Sequence, residues 1–135
     1  MAMQFSTAVR NARLDAIETA IGTSAILKIR TGSAPANCAT ADSGSVLATL
    51  NLPSDWLAAA SSGSKSKSGT WEDTSADATG TAAHFRLYAS DGTTCHMQGT
   101  VTATGGGGDM TLDNTSIASG QAVTITGFTL TDGNA

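Results

Sequence analysis

Apolar residues between Ser6 and Ile21 recur at helical spacing. Val9, Ala12, Ala16 and Ala20 form a stripe of mostly small side chains, flanked by Leu14, Ile17 and Ile21. Ser6 stands where an N-cap is wanted, and Gly22 where a left-handed residue closes a helix. The spacing predicts one helix, and its narrow alanine face predicts close packing against a sheet or a neighbouring chain. Arg10 and Arg13 sit in the first half of this segment and Asp15 and Glu18 in the second, which opposes the helix dipole. A bound partner would offset that mild cost.

Beyond Gly22 the period drops to two. Residues 25–30 predict a strand, followed by a loop through Gly32, Pro35, Asn37 and Cys38. In 45–52, Val46, Ala48, Leu50 and Leu52 share one face of a second strand, and Pro53 stops it. Ser54 then predicts a short turn of helix over 54–60, with Trp56 and Leu57 as anchors. Residues 61–69 read as a Ser/Gly loop carrying Lys65 and Lys67, ahead of a strand around core-facing Trp71.

The clearest strand pair flanks Ser90-Asp91-Gly92. A three-residue loop with Gly92 left-handed puts Leu87 opposite Cys95 and Phe85 opposite Met97, so the apolar faces agree. The other face then aligns Tyr88 with Thr94, Arg86 with His96, and His84 with Gln98. Downstream, Gly105–Gly108 reads as a hairpin connection, 109–113 as a strand, and Ser119-Gly120 as a turn. Residues 121–131 predict one more strand, whose alternation changes phase at Gly127 as a bulge would make it do. The fold class expected is mainly β: an antiparallel β-sandwich, jelly-roll or immunoglobulin-like, of about seven short strands with one N-terminal α-helix. Residues 1–22 would form an arm and helix and residues 23–135 the sandwich, within a single domain.

Composition narrows the function classes. A chain of 135 residues can bury one real core, and 40% hydrophobic with 13% charged residues is not a disordered composition. Seven Lys and Arg face 11 Asp and Glu, so the basic footprint of a nucleic-acid binder is missing. No run approaches the roughly 18–20 apolar residues of a membrane span. The first 22 residues lack the apolar stretch of a secretory signal, since Arg10, Arg13, Asp15 and Glu18 interrupt them. The two cysteines, Cys38 and Cys95, are either free buried thiols or a disulfide closing a long loop.

Chemistry is sparse. His84, Arg86, Tyr88, His96 and Gln98 share the polar face of the hairpin. Arg86 between the histidines would repel a metal ion, and a catalytic histidine needs an orienting acid that this face does not offer. Arg86 and Tyr88 suit a protein interface. The glycine run precedes a strand with an acid, where a phosphate loop needs a helix start. Asp109, Asp113 and Asn114 lack the spacing and distal Glu of a calcium loop. Lys65 and Lys67 make a weak anion patch on an acidic chain. No catalytic residue, metal site or cofactor is expected; the candidate interface residues are Val9, Ala12, Ala16, Ala20, His84, Arg86, Tyr88 and His96.

Several segments carry a resemblance. FSTAVRNARLDAIETAIGTSAILKIRTG, LATLNLPSDWLAAAS, GTWEDTSADATGTAAHFRLYASDGTTCHMQGTV and DNTSIASGQAVTITGFTLTDGNA together resemble a family of small virion structural proteins of tailed bacteriophages and prophages. The likeness spans nearly the whole chain, and the block from Trp71 to Val101 is its most specific part. It implies a non-enzymatic virion protein, made in the bacterial cytoplasm, and carries over no site residue. The leading expectation is a capsid decoration (cement) protein that binds and stabilises the assembled shell. Its partners would be copies of itself and the major capsid protein, without nucleic acid or membrane. A tail-associated subunit is the alternative, and a carbohydrate-binding adsorption module the third reading.

Overall fold

Ser6 caps the helix as its position predicts: its Oγ accepts the Val9 N–H at 3.2 Å. In the computed structural model, which describes residues 3–133, helix α1 runs Thr7–Ile21. Gly22, at φ 93°, ends it by donating its N–H to the Glu18 carbonyl. Met1, Ala2, Asn134 and Ala135, the outer ends of the two expected segments, lie outside the described residues. Leu14 and Ile21 are the buried residues of α1, and Ile17 packs on the core from the same side.

The charges that oppose the helix dipole have partners inside the chain. Asp15 and Glu18 both hold Lys65 Nζ, at 2.7 and 3.0 Å. Arg13 pairs with the Asp132 carboxylate at 3.1 Å, while Arg10 Nε donates to the Asp132 carbonyl. The expected loop at 61–69 instead starts with a tight hairpin turn, closed by reciprocal backbone bonds between Ser61 and Ser64, and it carries Lys65 buried at 2% exposure. These internal pairs, rather than an external partner, offset the dipole cost.

Eleven strands follow among the described residues, where about seven are expected. They are β1 (Ile26–Arg30), β2 (Val46–Asn51), β3 (Ser64–Ser66), β4 (Trp71–Asp73), β5 (Gly80–Thr81) and β6 (His84–Tyr88), then β7 (Cys95–Ala103), β8 (Met110–Leu112), β9 (Ser116–Ile117), β10 (Val123–Ile125) and β11 (Thr129–Thr131). The central sheet has the order β2-β1-β6-β7-β8, and β10-β4, β11-β3 and β5-β9 form three two-stranded sheets. The protein is thus mainly β with one helix. All pairs are antiparallel except β7-β8, which is parallel, so the glycine run is not a hairpin connection.

Leu27, Ile29, Phe85 and Leu87 cover the core face of the central sheet. An aromatic chain ties that face to the smaller sheets: Phe85 meets Phe128 edge-on at 5.9 Å, Phe128 meets Trp71 at 5.6 Å, and Trp71 meets Trp56 at 6.1 Å. Opposite Phe85 in the ladder stands Gly99, where a Cβ would come within 2.8 Å of the Phe85 ring.

Three expected elements differ. Residues 54–60 form no helix: the chain bends at 54–55 and Leu57 bridges to Lys67, because both anchors must reach the core; Trp56 and Leu57 are buried, and Trp56 Nε1 donates to the Gly22 carbonyl. The strand expected over 121–131 splits at 126–128 into β10, paired with β4, and β11, paired with β3. The β6–β7 register also lies two residues from the expected one, with Leu87 opposite Met97 and Arg86 opposite Gln98. One residue of that shift comes from the loop, where the Asp91 carboxylate accepts the N–H groups of Thr93 and Thr94 and the ladder starts at Ala89–Thr94. The other comes from a bulge, since Tyr88 pairs with Cys95 and leaves His96 unpaired. A shift of two preserves face parity, so Phe85 and Leu87 still point inward.

Candidate functional site

Pairing of Arg30 with His84, Lys28 with Arg86, and Arg86 with Gln98 places these side chains on the face of the central sheet away from the aromatic core. That face is covered by the β1–β2 connection, residues 31–45. The ends of this strap are clamped by Thr31 N–H to the Ser45 carbonyl and Ser45 N–H to Thr31 Oγ1. Loops of this length without secondary structure are uncommon in compact domains and need their own anchorage.

Arg86 supplies most of that anchorage. Its Nη2 donates to the carbonyls of Asn37, Cys38 and Thr40 at 3.0–3.1 Å, and its Nη1 to the Asp42 carboxylate. Asp42 also accepts from the Tyr88 hydroxyl at 2.6 Å and from Arg30 Nη2 at 3.0 Å. Gln98 donates to the Pro35 carbonyl, and His84 Nδ1 to the Gly32 carbonyl. The Asn37 carboxamide turns the chain locally by accepting the N–H groups of Ala39 and Thr40. The two thiols meet at the same place, with Sγ of Cys38 and Cys95 2.8 Å apart.

Burial shapes the electrostatics here. Arg86 is 1% and Arg30 6% exposed, whereas the Asp42 side chain retains 41%. Partial burial pushes the Asp42 carboxyl up, but the bonds from Tyr88 and Arg86 and the charge of Arg30 outweigh it and hold the group below the usual carboxylate range. Burial, reinforced by the bond to Asp42, pushes the Tyr88 hydroxyl up to about 12. For Arg86, burial works against the charge, and the Asp42 carboxylate more than restores it.

The expected interface set therefore divides. His84, Arg86 and Tyr88 do not form a solvated or intermolecular face; they are buried under the chain's own strap. His96 leaves them, because the bulge turns it out to solvent. An acid does arrive from the strap, Asp42, but it binds Arg30, Arg86 and Tyr88 while His84 is held by the Gly32 carbonyl, and its place 12 residues after Arg30 gives no local signal. Val9, Ala12, Ala16 and Ala20 stay together and exposed, which excludes the expected packing of the alanine face on a sheet of this chain. At 100° per residue Ala16 lies roughly 200° around α1 from buried Leu14, on the side away from the core. Met3 and Phe5 are exposed at 77% and 41%, and Val9 at 43%.

A groove of about 450 Å³ runs beside α1, lined by Asp15, Glu18, Asp55 and Lys65 among others. Its carboxylates Asp15 and Glu18 are already held by Lys65. Among the described residues no group of three His, Cys, Asp or Glu side chains is placed to hold a metal ion, and no helix is long and apolar enough to cross a membrane.

Fold and surfaces together define a mainly β protein with one helix, its polar sheet face sealed under a strap and an apolar stripe turned outward. No protein-family model, curated protein or solved structure matches the chain.

Proposed function

We propose that this chain is a structural subunit of a bacteriophage particle, and specifically a capsid decoration protein that binds the assembled shell through its N-terminal arm and helix. The observation that carries the reading is the exposed stripe of Val9, Ala12, Ala16 and Ala20 along α1, preceded in the chain by exposed Met3 and by Phe5, whose ring lies under the Arg13 guanidinium at 4.9 Å. Apolar surface gathered in one place marks a contact site. Small side chains let a partner approach the helix closely. The family resemblance of the sequence supplies the particle. A subunit that binds the assembled shell and not its separated parts stabilises the shell by mass action. Its net charge of −4 keeps it from adhering to DNA. In this reading the central sheet and the smaller sheets form the two layers of a jelly-roll or immunoglobulin-like sandwich, and the chain is not an enzyme.

A glycan-binding module is disfavoured by the aromatic residues. Trp56, Trp71, Tyr88, Phe85 and Phe128 are all buried, which leaves no exposed aromatic platform for a sugar beyond Phe5. Quantitative mass spectrometry of purified particles tests the proposal. A ratio to the major shell protein near or somewhat below one supports decoration, and a few copies per hundred would move the chain to the tail. Ala16→Arg should lower particle occupancy while leaving the fold and its melting temperature unchanged; full occupancy would remove the helix from the interface.

A further inference from the structure

We propose that Cys38 and Cys95 close into an intrachain disulfide that fastens the 31–45 strap to β7 when the protein meets a small-molecule disulfide outside a reducing compartment. Their sulfurs stand 2.8 Å apart, about 0.8 Å from the roughly 2.05 Å of a bonded pair. They are the only two cysteines, so neither has another intrachain partner.

The site is prepared before any bond forms. The Cys38 carbonyl accepts from Arg86 Nη2, and the neighbouring Asn37 carbonyl accepts from the same nitrogen. Cys95 sits in the β7 ladder opposite Tyr88, whose hydroxyl binds Asp42 of the strap. Both walls of the contact are thus fixed by hydrogen bonds that do not involve sulfur. Closure within one chain then outcompetes pairing between chains. Both thiols are partly exposed, so a reagent can reach them. Burial and the contact with Cys38 push the Cys95 thiol up to about 11, which keeps it protonated at neutral pH in the reduced protein.

The chemistry is thiol–disulfide exchange. One thiol loses its proton and attacks a sulfur of the small disulfide, expelling one thiolate and leaving a mixed disulfide. The second protein thiol loses its proton and attacks that mixed bond, expelling the second thiolate. The protein loses two protons and two electrons, the small disulfide gains them, and two free thiols leave. A bond closing a span of 57 residues restricts the unfolded chain strongly.

This inference stands apart from the particle role, and its test uses the purified folded chain. Incubation with oxidised glutathione, followed by maleimide labelling and intact-mass measurement, should show loss of two hydrogens and no label. The melting temperature should rise by about 10 °C and return when dithiothreitol is added. Cys95→Ser and Cys38→Ser should each show no such rise, with the remaining thiol labelled or glutathionylated. Two labelled thiols after incubation, a persistent glutathione adduct on the unmutated chain, disulfide-linked dimers, or a lower melting temperature for the oxidised form would each overturn the proposal.

Discussion

Replacing Asp42 with alanine tests whether one carboxylate holds the strap on the sheet. The substitution removes the acceptor shared by Arg86, Arg30 and Tyr88, and it leaves two nearly buried guanidinium groups without their counter-charge. Removing one partner from a fully buried ion pair costs about 3–5 kcal/mol, and from an exposed pair about 0–1 kcal/mol. Asp42 lies between these limits, because its side chain is 41% exposed while Arg86 is 1% exposed. Water can reach the vacated acceptor position but not the deeper guanidinium, so the expected loss is about 3 kcal/mol. With a urea slope near 1.5 kcal/mol per molar, the unfolding midpoint, followed by fluorescence of Trp56 and Trp71, should fall by about 2 M. Asp42→Asn should lose less, since its carboxamide oxygen can still accept from Tyr88. If an unpaired Arg86 is the main cost, Asp42→Ala combined with Arg86→Met should cost clearly less than the sum of the two single changes. Strict additivity, or a midpoint shift for Asp42→Ala below about 0.3 M, would refute the reasoning. The acid limb gives an independent reading. The Asp42 carboxyl is held below its ordinary 3.8 in the folded state, so its contribution is present above that pH and is lost as pH falls through the folded value. Asp42→Ala should therefore flatten the loss of stability on the acid side of pH 4.

Two further outcomes follow from the same geometry. Tyr88 is the only tyrosine, so absorbance of the tyrosinate reports it alone; it should ionise near 12, and ionisation near 10 would mean that the strap does not cover it. Because that value is raised above its unfolded one, the stability it represents is complete below pH 10 and is lost between about 10 and 12, by roughly 2–3 kcal/mol. Lys65→Ala should loosen α1 selectively, since it strips Asp15 and Glu18 of a buried partner. Amide exchange in residues 7–21 should quicken by an order of magnitude or more while β1 and β6 remain protected, and uniform protection would refute the clamp.

How much of this is legible in the chain depends on whether the cause is local. The helix is legible, because Ser6, Gly22 and the Leu14–Ile17–Ile21 spacing act within a few residues of one another. So are β1, β2 and β6, whose apolar alternation is written in the residues themselves. The failures share a different origin. His84, Arg86 and Tyr88 alternate with Phe85 and Leu87 as a solvated strand would, and only a segment some 45 residues earlier in the chain turns their polar face inward. Lys65 in a run of serines reads as a loop, yet its two carboxylates stand 50 and 47 positions upstream on α1 (65 − 15 and 65 − 18). The hairpin register differs from the expected one by one loop residue and one bulged residue, and neither the Asp91 turn nor the His96 bulge changes the hydrophobic pattern that selects among registers. Pattern reports which residues share a face; it does not report what covers that face.

Sealing the polar face has a consequence for how the molecule meets others. Arg30, Arg86 and Asp42 hold one another and the strap carbonyls, leaving only the buried Nε atoms of the two arginines without a partner in that group, and Asp15, Glu18 and Lys65 hold one another between α1 and β3. These six charged residues are thus engaged in holding the chain together. What the helix offers outward is Val9, Ala12, Ala16 and Ala20, with Arg13, 54% exposed, already paired with Asp132. Attachment through that stripe would depend on apolar fit and close approach, so its affinity should be nearly insensitive to salt. It should also be separable from folding, because no residue of the stripe contributes to the buried core. If added salt detached the protein from particles at the rate expected of ion pairs, the outward stripe would not be the contact, and the exposed charges of the chain would have to be searched instead.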